Sequence, residues 1–245
     1  RLRLDELDGA VPRPLLVVPL DGTCRLGPAE IGGKAWGINR MRALGLPVPP
    51  AVAATIHACH AYFAAGRVVD GQLRDRLLVA VKQLEDATGR RFGDPARPLL
   101  VSVRSGAAHS MPGMMDTVLD LGIDDPVEAA LAAETGDAAF AADTRRRFVV
   151  QYRKVVLGGR DDAVPDDPWT QLLASVAAVF DSWHSARARV YRNHRGFPED
   201  GGTAVTIQAM VFGNRDARSG TGVLFSRNPV TGDPPAWGEW LPHGQ

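Results

Sequence analysis

Residues 99–122, LLVSVRSGAAHSMPGMMDTVLDLG, restrict what this chain can fold into more than any other stretch of it. An apolar run over 99–103 delivers Arg104, then Ser105 and Gly106, then a loop holding Ser110, Pro112 and Gly113. A strand that ends in arginine and opens into a Ser/Gly turn aims a guanidinium fork and bare backbone amides at one point, the arrangement that receives phosphate oxygens. Residues 110–115, SMPGMM, combine a fixed φ at proline, a free one at glycine and soft apolar side chains, which reads as a lid able to lie over a bound group. On periodicity alone the same residues also read as a strand, a surface turn and a Met-rich piece of core.

The rest of the chain permits such a site without advertising it. At 245 residues there is length for one large domain or two small ones with a real core. Lys plus Arg and Asp plus Glu both total 28, so no global field favours nucleic acid or an anionic membrane, and any phosphate site must be local. The longest apolar stretches, such as 172–180, fall well short of the roughly 20 residues that span a bilayer. Residues 1–14 carry charge but no apolar h-region, so no signal peptide is read there. Cys24 and Cys59 have no CxxC spacing and are too few for a disulfide framework; buried thiols and a cytoplasmic setting are the expectation.

Coarse elements follow from spacing and breakers. Trp36, Ile38, Met41 and Leu44 recur at near-helical spacing over 33–44, and Gly45, Pro47, Pro49 and Pro50 stop that helix. Further helices are expected over about 55–65 and 72–88, with two more in the alanine-rich 126–157. Strands are expected at 99–104 and 117–121, flanking the lid. Residues 158–168, GGRDDAVPDDP, form a polar linker. Leu172, Leu173, Val176, Val179, Phe180, Trp183 and Val190 make one apolar stripe, which predicts a single long helix over about 169–193. Residues 203–212 and 220–226 read as strands joined by a hairpin-like turn at 214–219.

Several segments together carry a family resemblance. Residues 101–122, VSVRSGAAHSMPGMMDTVLDLG, resemble the segment that marks the amino-terminal nucleotide-binding domain of pyruvate phosphate dikinase, one of the ATP-grasp enzymes. Residues 31–50, IGGKAWGINRMRALGLPVPP, are similar to that family's first glycine-lysine element, and 140–158, FAADTRRRFVVQYRKVVLG, resemble its internal helix. Residues 168–233 follow the family nearly continuously. The segments stand in the family's order over most of the chain, which is far more specific than one short motif. The resemblance implies an α+β fold of the ATP-grasp type. Its amino-terminal lobe would be 1–123, a shortened helical subdomain 124–168, a long helix returning to the amino-terminal lobe 169–203, and a truncated carboxy-terminal lobe 204–245. At 158–168, where the family has a much longer helical insertion, this chain has almost nothing.

Candidate site residues are weighed one at a time. Lys34 follows Gly32 and Gly33 at the opening of a helix, where unpaired amides favour an anion; alone it reads as a solvated lysine, and the resemblance makes it a contact to nucleotide phosphate. Arg104 matches the family's phosphate-binding arginine, the alternative being a salt bridge to a core carboxylate. These two are the residues to which a catalytic role is assigned. Gly113 and Thr117 match positions that touch phosphates through backbone and hydroxyl, though a turn followed by a β-branched strand residue also accounts for them. Gln208, in VTIQAMVFG, is either a solvent-facing strand residue or a group at the adenine side of the cleft, and the resemblance favours the nucleotide contact. Glu239, in GEWL, matches an acidic residue near metal or phosphate-linked water, with a plain edge-strand glutamate as the alternative. His109 departs from the family, where a small or apolar residue is usual, and is given no catalytic role.

The implied ligands are ATP or ADP with Mg²⁺. The family continues past GEWL into a DxE acidic pair and a QTR-like element, neither of which is found here, so Mg²⁺ binding is expected to be weak or to depend on those segments. None of His57, His60, His109, His184, His194 or His243 sits in the TSH-type context of the family's phosphorylatable histidine. The expected role is therefore the ATP-binding portion of a dikinase-like phosphotransferase, with a separate polypeptide carrying the phosphohistidine and pyruvate domains as a conceivable partner and full activity from this chain alone not expected. In the complete family, ATP gives its β-phosphate to that histidine and its γ-phosphate to inorganic phosphate. The alternatives are a stand-alone module that senses nucleotide or binds a partner, and a related kinase such as a phosphoenolpyruvate synthase or an antibiotic phosphotransferase.

Overall fold

Alternation of apolar residues with small or polar ones builds the central sheet. In the computed structural model, which describes residues 14–109 and 111–245, β1 (Val17–Pro19), β2 (Ala51–Ala54), β5 (Val101–Gly106), β6 (Thr117–Leu121) and β7 (Ala204–Ala209) form five antiparallel strands in the order β1-β2-β7-β5-β6. The charged start of the chain, where no signal peptide is expected, and Ser110 of the lid lie outside the described residues. Register places Val52, Val101, Val103, Val118, Val205 and Ile207 on one face. That face packs on α3 (Gly71–Thr88) and α6 (Pro168–Ser182) through Leu73, Leu77, Val81, Leu172, Val176 and Phe180, all buried.

The opposite face is made of different material. Ala51, Ala53, Ser102, Arg104, Thr206 and Gln208 lie on it, and α1 (Pro28–Ala43) covers its alanines with Ile31 and Ala35. Small side chains let the helix backbone approach the sheet closely. The face of α1 that is buried therefore differs from the expected stripe: Ile31, Ala35 and Asn39 point inward, while Met41 and Leu44 are exposed.

The helices over 55–65, 72–88 and 126–157 fall where expected. They are α2 (Ile56–Ala64), capped by the Thr55 hydroxyl accepting from the Ala58 amide; α3, capped by Asp70; and the pair α4 (Asp125–Thr135) and α5 (Ala138–Val155). Val127, Leu131, Phe148 and Tyr152 of that pair belong to the same core as the sheet. The short strands β3 (Arg91–Phe92) and β4 (Pro98–Leu99) lead into β5. No helix among the described residues is long and apolar enough to cross a membrane.

Two expectations are corrected. The single helix over 169–193 is two: α6 ends at Ser182, and α7 (Ala186–Arg195) starts afresh with Ser185 as its cap. The buried Arg192 holds the break, its guanidinium 4.0 Å over the Trp183 ring and donating to the Trp183 carbonyl at 2.5 Å, so Val190 is left exposed rather than in the apolar stripe. Nor do residues 203–212 and 220–226 form a hairpin. β7 already has β2 on one edge and β5 on the other, so β8 (Gly220–Phe225) pairs instead with β9 (Trp237–Pro242). That two-stranded unit stands exposed almost throughout, with Leu224, Trp240 and Leu241 all open to solvent.

Candidate functional site

A glycine contact creates the site. Gly32 interrupts α1 with φ +77°, and a Cβ there would lie 2.0 Å from the Gly106 carbonyl oxygen at the end of β5. The Gly33 amide then donates to the Ala107 carbonyl at 3.3 Å. Helix α1 thus resumes against the mouth of β5 and carries Lys34 on its first turn. Beside it opens a cleft of about 650 Å³, lined by Gly33 and Lys34 on one side, by Ser105 to Ala108 at its base, and by His109, Met111, Pro112, Gly113, Met115 and Thr117 opposite. The loop read as a lid forms that far wall. Its turn is closed by the Met114 amide donating to the Met111 carbonyl at 3.1 Å, with Gly113 at φ +71° and Met111 buried as the anchor.

Arg104 is not among the residues lining this cleft, although its neighbour Ser105 and its ladder partner Thr117 are. It is half-buried on β5, directly opposite Thr117 on one side and Thr206 on the other. Its Nε has no hydrogen-bond partner among the described residues, and neither does the buried Oγ1 of Thr206 across the ladder. No carboxylate pairs with Arg104 among the described residues, so the core salt bridge weighed from sequence is not present there. Lys34 responds to this neighbour. Its pKa is held below the ordinary lysine value first by partial desolvation in the cleft wall and then by the Arg104 charge, although the side chain still reaches solvent. Two cations sharing a field, one with an unsatisfied donor, form a site that gains from an anion.

The remaining expected residues are placed as follows. Gly113 and Thr117 line the cleft with Lys34. Gln208 shares the sheet face of Arg104 but lies two residues further along, opposite Ser102, and its side-chain amide donates to the Pro49 carbonyl at 3.1 Å. It does not line the cleft. Glu239 sits on the exposed β9 opposite Val223, away from the cleft lining. His109 lines the cleft while its ring stacks on Phe197 at 4.4 Å and 15°.

The donor set does not suit Mg²⁺. The cation takes oxygen ligands, usually one or two carboxylates with substrate phosphates. Among the described residues the cleft offers an ammonium, amides, the hydroxyls of Ser105 and Thr117, an imidazole and thioethers, and no cluster of three or more Asp, Glu, His or Cys that could hold a metal occurs.

Sequence reasoning missed Arg187, which donates from Nε to the Met114 carbonyl at 3.0 Å and pairs with Asp116. It also missed the buried Asp120. That carboxyl occupies a left-handed conformation, φ +59°, where β6 bulges against β5, and burial pushes its pKa up to about 7. The short SARAR run around Arg187 carries no periodicity that would have tied it to a loop seventy residues earlier, whereas an Asp before Leu-Gly at a strand end was a visible bulge signal.

Comparisons with known proteins place the chain in a family. Residues 65–237 match the family described as pyruvate phosphate dikinase, AMP/ATP-binding domain, and the chain belongs to that family. Its relatives include the pyruvate, phosphate dikinase of Rhizobium meliloti (strain 1021), 41% identical with 88% of this chain and 29% of the relative covered. The enzyme of the same name from Clostridium symbiosum is 38% identical over 88% and 30%, and the chloroplastic pyruvate, phosphate dikinase 1 of Oryza sativa subsp. japonica is 41% identical over 88% and 27%. The chain spans less than a third of the length of these relatives. The first two alignments run over 259 positions, more than the 245 residues of this chain, so those relatives carry residues inside the matched region that it lacks.

Proposed function

We propose that the cleft binds the polyphosphate of ATP or ADP, and that this chain is the ATP-binding portion of a pyruvate phosphate dikinase-like phosphotransferase, serving the half-reaction in which ATP is the phosphoryl donor. The observation that carries the reading is Arg104: a half-buried guanidinium with an unpartnered Nε, close enough to Lys34 to depress its pKa, paired in the ladder with Thr117 of a cleft walled by a glycine-bearing loop. Lys34 and Arg104 neutralise the developing phosphate charge, while Gly113 offers a backbone amide and Thr117 a hydroxyl to the same oxygens. Gln208 and Glu239 serve this site only if the segment after β7 turns toward the cleft; Gln208 would then give up its bond to Pro49. The residues present do not fit Mg²⁺. In this reading 1–123 act as the amino-terminal lobe of an ATP-grasp unit, 124–168 as its shortened helical part, 169–203 as the return to the lobe, and 204–245 as the start of the second lobe.

A second reading is favoured by the β8–β9 unit, whose Leu224, Val230, Trp240 and Leu241 are 60–90% exposed. Such a surface suits a partner polypeptide, and a nucleotide-sensing or partner-binding module derived from the same domain would use it. Calorimetry with ADP and ATP, with and without Mg²⁺, separates a nucleotide-binding cleft from a module that binds only a partner. The nucleotide reading expects binding that Mg²⁺ strengthens little. Absence of heat and of any thermal shift at millimolar nucleotide leaves only the partner-binding module.

A further inference from the structure

We propose that Arg187 is the positioning residue of the lid: it ties the loop to α7 and thereby sets the wall that faces Lys34. This rests on the nucleotide reading of the cleft. The loop over 107–116 contributes most of the cleft's far wall, but its own bonding is slight: the Met114 amide donates to the Met111 carbonyl across Pro112 and a left-handed Gly113, and the Met115 sulfur accepts weakly from the Ser182 hydroxyl at 3.8 Å. Its hold comes from outside. At its carboxy-terminal end, Arg187 on the first turn of α7 donates to the Met114 carbonyl at 3.0 Å and pairs with the Asp116 carboxylate. The Asp116 amide points at the Ser182 hydroxyl oxygen, 3.5 Å away, where α6 gives out. At its other end His109 stacks on Phe197, just past the end of α7.

Both grips therefore belong to the segment between Ser182 and Phe197, and that segment is itself stiff. Arg192 is fully buried, bonded to the Trp183 carbonyl and stacked on its ring, and the Trp183 indole donates to the Glu199 carbonyl at 3.1 Å. The break between α6 and α7 gains a purpose from this arrangement: a continuous helix would point Arg187 elsewhere, whereas the restart at Ser185 presents it to the loop. Asp116 immediately precedes Thr117, so whatever fixes Asp116 also fixes the hydroxyl offered to the phosphates and the strand residue opposite Arg104. A two-pronged guanidinium suits this task because it bonds a carbonyl and a carboxylate at once, which an ammonium does with less directional definition.

The test uses the full chain and ADP as the probe, with two readouts: affinity by calorimetry and amide hydrogen exchange over residues 111–117. Arg187→Ala should speed exchange across that segment and weaken ADP about fivefold, less than the loss of a direct charge-assisted contact because Arg187 acts through the loop and not on the nucleotide. Arg187→Lys should recover part of both. Asp116→Asn, which severs the pair from the loop side, should reproduce the exchange change and keeps the question open to measurement if Arg187→Ala folds poorly. Arg189→Ala, at an exposed arginine on the same helix whose side chain makes no hydrogen bond or ion pair among the described residues, should match the unmodified chain. Unchanged exchange in Arg187→Ala and Asp116→Asn overturns the anchoring. Faster exchange with unchanged ADP affinity overturns the positioning role. If the unmodified chain fails to bind ADP at all, the nucleotide reading falls and takes the positioning role with it, while the exchange data still decide whether Arg187 anchors the loop.

Discussion

Gly32 lies so close to Gly106 that no side chain fits on Gly32: a Cβ there would overlap the Gly106 carbonyl oxygen at 2.0 Å, whereas one on Gly106 would meet nothing nearer than 3.4 Å. This one contact brings the restart of α1 and the end of β5 together and so places Lys34 near Arg104.

Gly32→Ala should therefore cost more than its size suggests. An L residue at φ +77° loses about 1–2 kcal/mol, and the clash with backbone adds to it because neither element can rotate away. A total on the order of 3 kcal/mol is expected in urea unfolding, with nucleotide affinity lost as α1 shifts. Gly37→Ala gives the contrast: a Cβ there meets nothing within 4 Å in a helix interior, so a gain of about 0.5–1 kcal/mol is expected. Equal effects from the two substitutions would show that the close approach is not structural.

Arg104→Ala should weaken ADP or ATP binding by about 10- to 100-fold, the loss of a charge-assisted, two-oxygen contact. Arg104→Lys should fall between, since an ammonium keeps the charge and loses the fork. Titrations that give one affinity for the unmodified chain and both variants would make Arg104 a purely structural residue.

Asp120 makes stability depend on pH in a defined direction. Burial raises its folded-state pKa to about 7, above the roughly 3.9 of an unfolded aspartate. The nearby Arg147 charge works against that rise and Asp143 with it. The folded state therefore holds a proton that the unfolded state releases, so stability falls as pH rises from about 4 to about 7 and is unaffected by this group below pH 4. At about 1.4 kcal/mol per unit, the loss is on the order of 4 kcal/mol at most. Asp120→Asn removes the charge and tolerates the left-handed backbone. Its urea midpoint should exceed that of the unmodified chain at pH 8 and converge with it near pH 4.5; a constant difference at both pH values would show that Asp120 does not carry the effect.

Local chemistry made much of this fold readable. Thr55 and Asp70 before apolar runs mark helix starts, Gly89 and Gly136 mark ends, and the strand at 117–121 lies between a turn and a glycine, as its pattern requires. That Lys34, Gly113 and Thr117 line one cleft follows the family resemblance, since each alone also reads as a plain helix-start, turn or strand residue. What failed depended on partners distant in sequence. The apolar stripe through Trp183 and Val190 has helical spacing, and only the burial of Arg192 under Trp183 reveals that the helix turns. Gln208 read as a solvent-facing strand residue or a nucleotide contact, and nothing near it in sequence announces that its amide donates to Pro49, 159 residues earlier. Asp120 and Arg187 act through a bulge and a cross-loop bond, and neither leaves a periodic trace.

The position of β7 has a bearing on how the molecule is assembled during synthesis. Residues 204–209 fill the slot between 51–54 and 101–106, so β1 and β2 form one half-sheet and β5 and β6 another, with nothing joining them until β7 arrives. While the chain is being translated, both halves wait with an unpaired edge beside the valines of the core, and the cleft base at Ser105 and Gly106 has no support from Ala204 and Val205. Nascent chains halted before residue 204 should be the aggregation-prone species, and protection of the β2 and β5 amides should appear together, in one late step, when the last strand is inserted.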